Sequence, residues 1–157
     1  MTSNMARTLV ATAIALTMAL LPVPAASQGE QSAARRSRTT LLVHVTQGPE
    51  NPTRAALAFL VAKTAIDEGD AVTLFLAGDA VQLIRDGVLD SLAGLGTGRL
   101  RESFAAIAKG GGRFYLSGMS SNARGVTEKD LAGKPAEFAT PNVLLRLLKE
   151  HDRALTY

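Results

Sequence analysis

The amino-acid sequence predicts an α/β fold: a mainly parallel sheet of four to five strands with helices on both faces. Three observations predict it. Short apolar, β-branched runs recur at residues 40–46, 71–77, 113–116 and 153–157. Segments with helical capping and periodicity lie between them. Strand and helix alternate along the chain, the pattern of a parallel sheet whose crossovers are helical.

Ahead of the first strand the chain reads as an export leader. Arg7 is the only charged residue before Glu30, residues 9–21 form an apolar run, Pro22 and Pro24 break it, and Ala25 and Ser27 are small. This order predicts a signal peptide over residues 1–27, cleaved after Ser27, and a periplasmic or secreted protein. A membrane span needs roughly 20 apolar residues, more than this run supplies. No stable membrane insertion is therefore expected after cleavage. Residues 28–39 are polar and carry Arg35, Arg36 and Arg38, and are expected to be a flexible linker. The domain proper is expected over residues 40–157, in a mature chain of about 130 residues, enough for one core.

Composition narrows the function. The chain has no cysteine, so packing alone must hold the exported domain, and thiol chemistry and thiolate metal sites are excluded. The net charge of +3 falls to +2 when Arg7 leaves with the leader. That small imbalance is no nucleic-acid signature, and the few scattered aromatics build no stacking platform for single strands. No nucleic-acid partner is expected.

Residues 40–46 (TLLVHVT) read as a strand buried on both faces. Asn51 caps the helix that Pro52 opens, which runs to about Glu68 and stops at Gly69. Its apolar residues cover most of its circumference, predicting a largely buried helix, partly in a subunit interface. Lys63 and Asp67 are spaced to pair on its outer side. Residues 71–77 form the second strand, ended by Gly78-Asp79, and Asp79 caps a short helix over 80–85. Residues 86–98 read as a looser, glycine-rich connection. An amphipathic helix follows over 99–109, stopped by Gly110, Gly111 and Gly112, then a third strand over 113–116. Residues 117–125 (SGMSSNARG) read as a polar loop at that strand's end. Thr127 caps another short helix. Thr140-Pro141 starts the last helix, with Val143, Leu144, Leu147 and Leu148 as its apolar stripe, and residues 153–157 close the chain as a strand.

In parallel sheets ligands bind beyond the carboxyl ends of the strands. Two polar segments lie there, residues 47–53 and 117–125. They give the candidate ligand-binding residues Gln47, Asn51, Ser117, Gly118, Met119, Ser120, Asn122 and Arg124. Arg124 is open to two readings: a holder of an anion or carboxylate, or a loop arginine paired to the surface or to a neighbouring subunit. Gly94-Leu95-Gly96-Thr97-Gly98 mimics a phosphate loop but follows no strand and lacks the lysine, so it reads as a connection. Ser120 is one glycine short of a nucleophile elbow. A base for it would have to be His44 or His151, the only histidines. His44 reads as a satisfied core residue and His151 as a helix C-terminal cation. Two histidines without cysteine or a close acidic partner make no dedicated metal site. No catalytic residue, metal or cofactor is assigned.

The residues also carry a family resemblance. It lies in the first strand ending in Thr46-Gln47-Gly48-Pro49, the Gly69-Asp70-Ala71-Val72 entry to the second, and Phe75-Leu76-Ala77-Gly78-Asp79-Ala80-Val81. Gly111-Gly112 before the third strand, the Arg124-Gly125 loop end and the terminal Arg153-Ala154-Leu155-Thr156-Tyr157 complete it. Over residues 40–157 the chain resembles the DsrE/DsrF-like (YchN-like) sulfur-relay superfamily. The resemblance implies a three-layer α/β/α sandwich and homo-oligomers, trimers or hexamers. In active members a cysteine at the end of the third strand carries sulfur as a persulfide. Here the resemblance puts Ser117 in that place, and a hydroxyl cannot form a persulfide. The expected function is an exported binding or assembly module for a small anionic ligand or a periplasmic protein, linked to sulfur or redox metabolism. The alternative is an enzyme with cysteine-independent chemistry at the Ser117–Arg124 loop.

Overall fold

The computed structural model describes residues 38–157. The signal peptide expected over 1–27 and nearly all of the expected linker lie outside the described residues. The domain is a five-stranded, fully parallel sheet in the order β6-β5-β2-β1-β7. Its strands are β1 (Thr40–Val45), β2 (Ala71–Leu76), β5 (Arg113–Ser117), β6 (Ala136–Ala139) and β7 (Arg153–Thr156).

Helix α1 (Pro52–Asp67) links β1 to β2. Asn51 Oδ1 accepts from the Arg54 N–H, and Gly69 leaves the helix at φ +93. Helix α3 (Leu100–Lys109) leads into β5. Together α1 and α3 bury Ala55, Phe59, Ala62, Phe104 and Ile107 against Val43, Leu74, Phe114 and Leu116. These crossovers and the β5-to-β6 connection step the same way across the sheet, so right-handedness stacks them on one face. Helix α6 (Pro141–Glu150) goes back from the β6 edge to the β7 edge. The reversed direction puts it on the opposite face, where Leu147 packs with Leu42, Phe75 and Ala139. Among the described residues the result is a three-layer α/β/α sandwich with one face doubly covered and the other covered by α6.

Several expectations change. Residues 78–84 are a 3-10 helix. The connection expected to be loose holds helix α2 (Asp86–Ser91) and a small antiparallel hairpin, β3 (Ala93–Gly94) with β4 (Gly98–Arg99). A Cβ on Gly94 would come within 2.8 Å of Thr53 Cα, so this glycine serves close packing on α1. The expected polar loop 117–125 is mostly helix: α4 spans Gly118–Ala123. The short helix after Thr127 is α5 (Glu128–Leu131), closed by a capping box between Thr127 and Asp130. Strand β6 had no sequence signal. Leu148 of α6, expected in the apolar stripe, is 45% exposed. His44 is not satisfied among the described residues: its ring stands edge-on to Phe75, and Nε2 is buried without a hydrogen-bond partner there.

Candidate functional site

The carboxyl ends of β1, β2 and β5 bring the two candidate segments together at a residue the sequence marked only as a cap, Asp79. On one side lies the 47–51 turn. A Cβ on Gly48 would overlap the Asp79 carbonyl oxygen, and Gly48 N–H donates to Glu50 Oε1 at 2.7 Å. Only glycine lets this turn lie against the β2 exit. On the other side, Arg124 Nε donates to Asp79 Oδ1 at 2.7 Å, and its NH1 donates to the Ser120 carbonyl at 3.4 Å. The guanidinium therefore already holds an intramolecular carboxylate.

Helix α4 is fixed by its serines. Ser117 is its N-cap, its Oγ accepting from the Ser120 N–H at 3.4 Å, and it is only 9% exposed. Ser120 Oγ accepts from the Gly78 N–H at 3.0 Å. Gly78 has φ +58, a left-handed turn that suits glycine. At the helix's far end Arg85 NH2 donates to the carbonyls of Arg124 and Gly125 at 2.8 Å each, satisfying acceptors that a helix C-terminus leaves open.

The eight sequence candidates thus fall into groups. Ser120 and Arg124 are bonded to Gly78 and Asp79, while Ser117 caps α4. Gly118 and Asn122 line a concavity of about 260 Å³ with Ser121, Val126 and Phe138. Met119 is 70% exposed. Gln47 and Asn51 lie in the β1 turn, where Asn51 is used as a helix cap. Sequence reasoning missed Asp79 as the meeting point, together with Ser121, Val126 and Phe138. Ser121 is 1% exposed, and its Oγ finds no partner among the described residues. The paired Gly78-Asp79 at a strand exit was the one available signal for the first of these.

No serine–histidine pair forms among the described residues. His44 is in register with Phe75, and Phe75 with Tyr115. Two strand spacings, about 9–10 Å, and two further residues along β5 separate it from Ser117. Burial holds the His44 pKa below its ordinary value, because the charged ring loses solvation. His151, at the end of α6, has Nδ1 2.7 Å from the Leu147 carbonyl and Nε2 3.0 Å from Thr73 Oγ1. The carbonyl can only accept, so Nδ1 carries the proton. Among the described residues no group of three acidic or histidine side chains is placed to hold a metal.

Comparison with known proteins agrees with this architecture. The ychN protein from E. coli shares the fold at TM-score 0.62 and 17% identity, over 77% of this chain and all of that one. A conserved protein of unknown function, BT1422 from Bacteroides thetaiotaomicron, aligns at TM-score 0.57 and 13% identity, over 76% of this chain and 95% of that one. Among curated proteins none matches. The model of the DsrE/DsrF-like family matches residues 40–157, from the first residue of β1 to Tyr157, and the chain belongs to that family.

Proposed function

We propose that this chain is an exported DsrE-like binding and assembly module, not a persulfide carrier. It takes a small anionic ligand or a protein partner at the α4 end of the sheet and works as a homo-oligomer, a trimer or hexamer, in sulfur or redox metabolism outside the cytoplasm. The observation that carries the reading is the serine at the end of β5 in a chain without cysteine. Sulfur relay needs a thiolate nucleophile. Ser117 is buried, and its hydroxyl is occupied in capping α4. The concavity beside it, with apolar walls from Val126 and Phe138 and polar groups from Asn122 and Ser121, has the make-up of a small binding site.

Two measurements test this. Native mass spectrometry of the chain purified after export reads the processed mass and the subunit number together. Cleavage after Ser27 and an oligomer are expected; an intact, membrane-bound N-terminus overturns the export reading, and a monomer overturns assembly. In the second, folded Ser117→Cys is treated with polysulfide and weighed. A persulfide adduct on the variant, with none on wild type, is expected. A folded variant that takes up no sulfur shows that the family's sulfur site lies elsewhere.

A further inference from the structure

We infer that the free edge of β7 is a self-pairing surface, joining two copies of this chain antiparallel about a two-fold axis at Leu155. The inference rests on the self-association proposed above in its hexameric form, which has two-fold axes where a trimer has none, and names the contact at one of them.

The backbone sets the register. Tyr157 N–H donates to the His44 carbonyl, and Thr46 N–H donates to the Tyr157 carbonyl. Backbone groups alternate sides along a strand, so Arg153 and Leu155 also turn toward β1. The N–H and C=O of Ala154 and Thr156 therefore point away from the sheet and find no partner among the described residues. All four residues of β7 are exposed. The opposite edge differs: β6 is entered through Pro135 and carries an exposed Glu137 at its centre, and proline and charge both blunt an edge. Across Ala154-Leu155-Thr156, β7 has neither.

The occupant that fits is a second β7. With the axis at Leu155, Ala154 of one copy lies opposite Thr156 of the other. Each such pair exchanges two N–H to C=O bonds, so the outward groups of both copies are satisfied at once. Leu155, 40% exposed, then meets its counterpart as a non-hydrogen-bonded pair, where side chains approach most closely. Arg153 falls opposite Tyr157, so no like charges face each other, and a cation meets an aromatic ring. A four-residue strand pair alone covers less than the roughly 1,200–2,000 Å² of a stable interface. The helix that enters β7 supplies more apolar surface in Leu145 and Leu148, 56% and 45% exposed.

The full exported chain tests this, and its lack of cysteine makes cross-linking clean. Under copper–phenanthroline oxidation, Leu155→Cys should form a covalent dimer rapidly, since facing residues of a non-hydrogen-bonded pair have Cα atoms about 4.5 Å apart, within disulfide reach. Ala154→Cys should not, because its counterpart lies about 8 Å away across the axis. Ala154→Pro removes one outward N–H and no bond within the subunit. It should halve the assembly mass by sedimentation while leaving the melting temperature of the subunit within a few degrees. A wild-type trimer, or a hexamer whose Leu155→Cys variant stays uncross-linked, overturns the β7 contact and leaves self-association standing. A wild-type monomer overturns both. Cross-linking in a chain whose Ala154→Pro variant keeps the full assembly mass also overturns the contact.

Discussion

Single atoms decide whether the two candidate segments can meet. Ser120 Oγ is the acceptor for the Gly78 N–H, and a partly buried donor left without one costs about 1–2 kcal/mol. Ser120→Ala should lower stability by that amount in urea denaturation, whereas the exposed Met119→Ala should stay within about 0.5 kcal/mol. Gly48→Ala forces a methyl against the Asp79 backbone and should cost about 1–3 kcal/mol. His44 makes a pH prediction. Its folded pKa lies below the ordinary histidine value through burial. The stability it contributes is therefore complete above the unfolded pKa and lost as pH falls through the folded one. Denaturation between about pH 8 and pH 5 should show stability falling on acidification, with a smaller fall in His44→Phe. An unchanged slope in that variant would remove His44 as the cause.

At the scale of elements, unequal covering of the sheet is the main consequence. Among the described residues helix α6 is alone on its face, and it is seated by Leu147, 4% exposed, with Val143 and Leu144 partly buried. Leu147→Ala should cost about 2–4 kcal/mol, while Leu145→Ala, on the outer side, should cost little in a monomer. Helices α2 and α3 are joined by Arg101, whose Nε donates to Asp90 at 2.6 Å and NH2 to Asp86 at 2.8 Å. Lys134 adds a second cation to Asp86 at 3.2 Å. Arg101 and Asp90 are both solvent-accessible, so a double-mutant cycle between them should give only a small coupling, shrinking in high salt. Legibility also differed by element. Helix α1 was readable because Asn51, Pro52 and Gly69 all act locally. Helix α4 was not: its Gly, Ser and Asn residues favour turns, and it is held by tertiary bonds to Gly78 and Asp79. Strand β6 (AEFA) has no apolar run and is a strand because β5 offers it an edge.

For the whole molecule, acid sensitivity follows from carboxylates that fasten separate parts of the chain. Asp152, at the start of β7, accepts from Thr40 N–H and Oγ1, and these bonds hold its pKa below the usual value. Hydrogen bonds from Arg101 lower Asp86 and Asp90 in the same way. A lowered carboxylate contributes stability above its unfolded pKa and loses it as pH falls through the folded one. Thermal melts should therefore decline below about pH 4, and Asp152→Asn should flatten part of that decline.

By itself the sequence determined the fold class, four of the five strands of the main sheet, the family resemblance and the absence of a thiol. These are properties of local pattern and residue type: caps, periodicity and composition act over a few neighbours. Only the tertiary structure decided how the candidate residues are used. Among the described residues it gave Arg124 to Asp79 and Ser117 to a helix cap, left His44 Nε2 without a partner, and placed β7 at an edge of the sheet. Each of those outcomes depends on which distant backbone or side chain arrives within hydrogen-bond distance, and sequence spacing does not encode that.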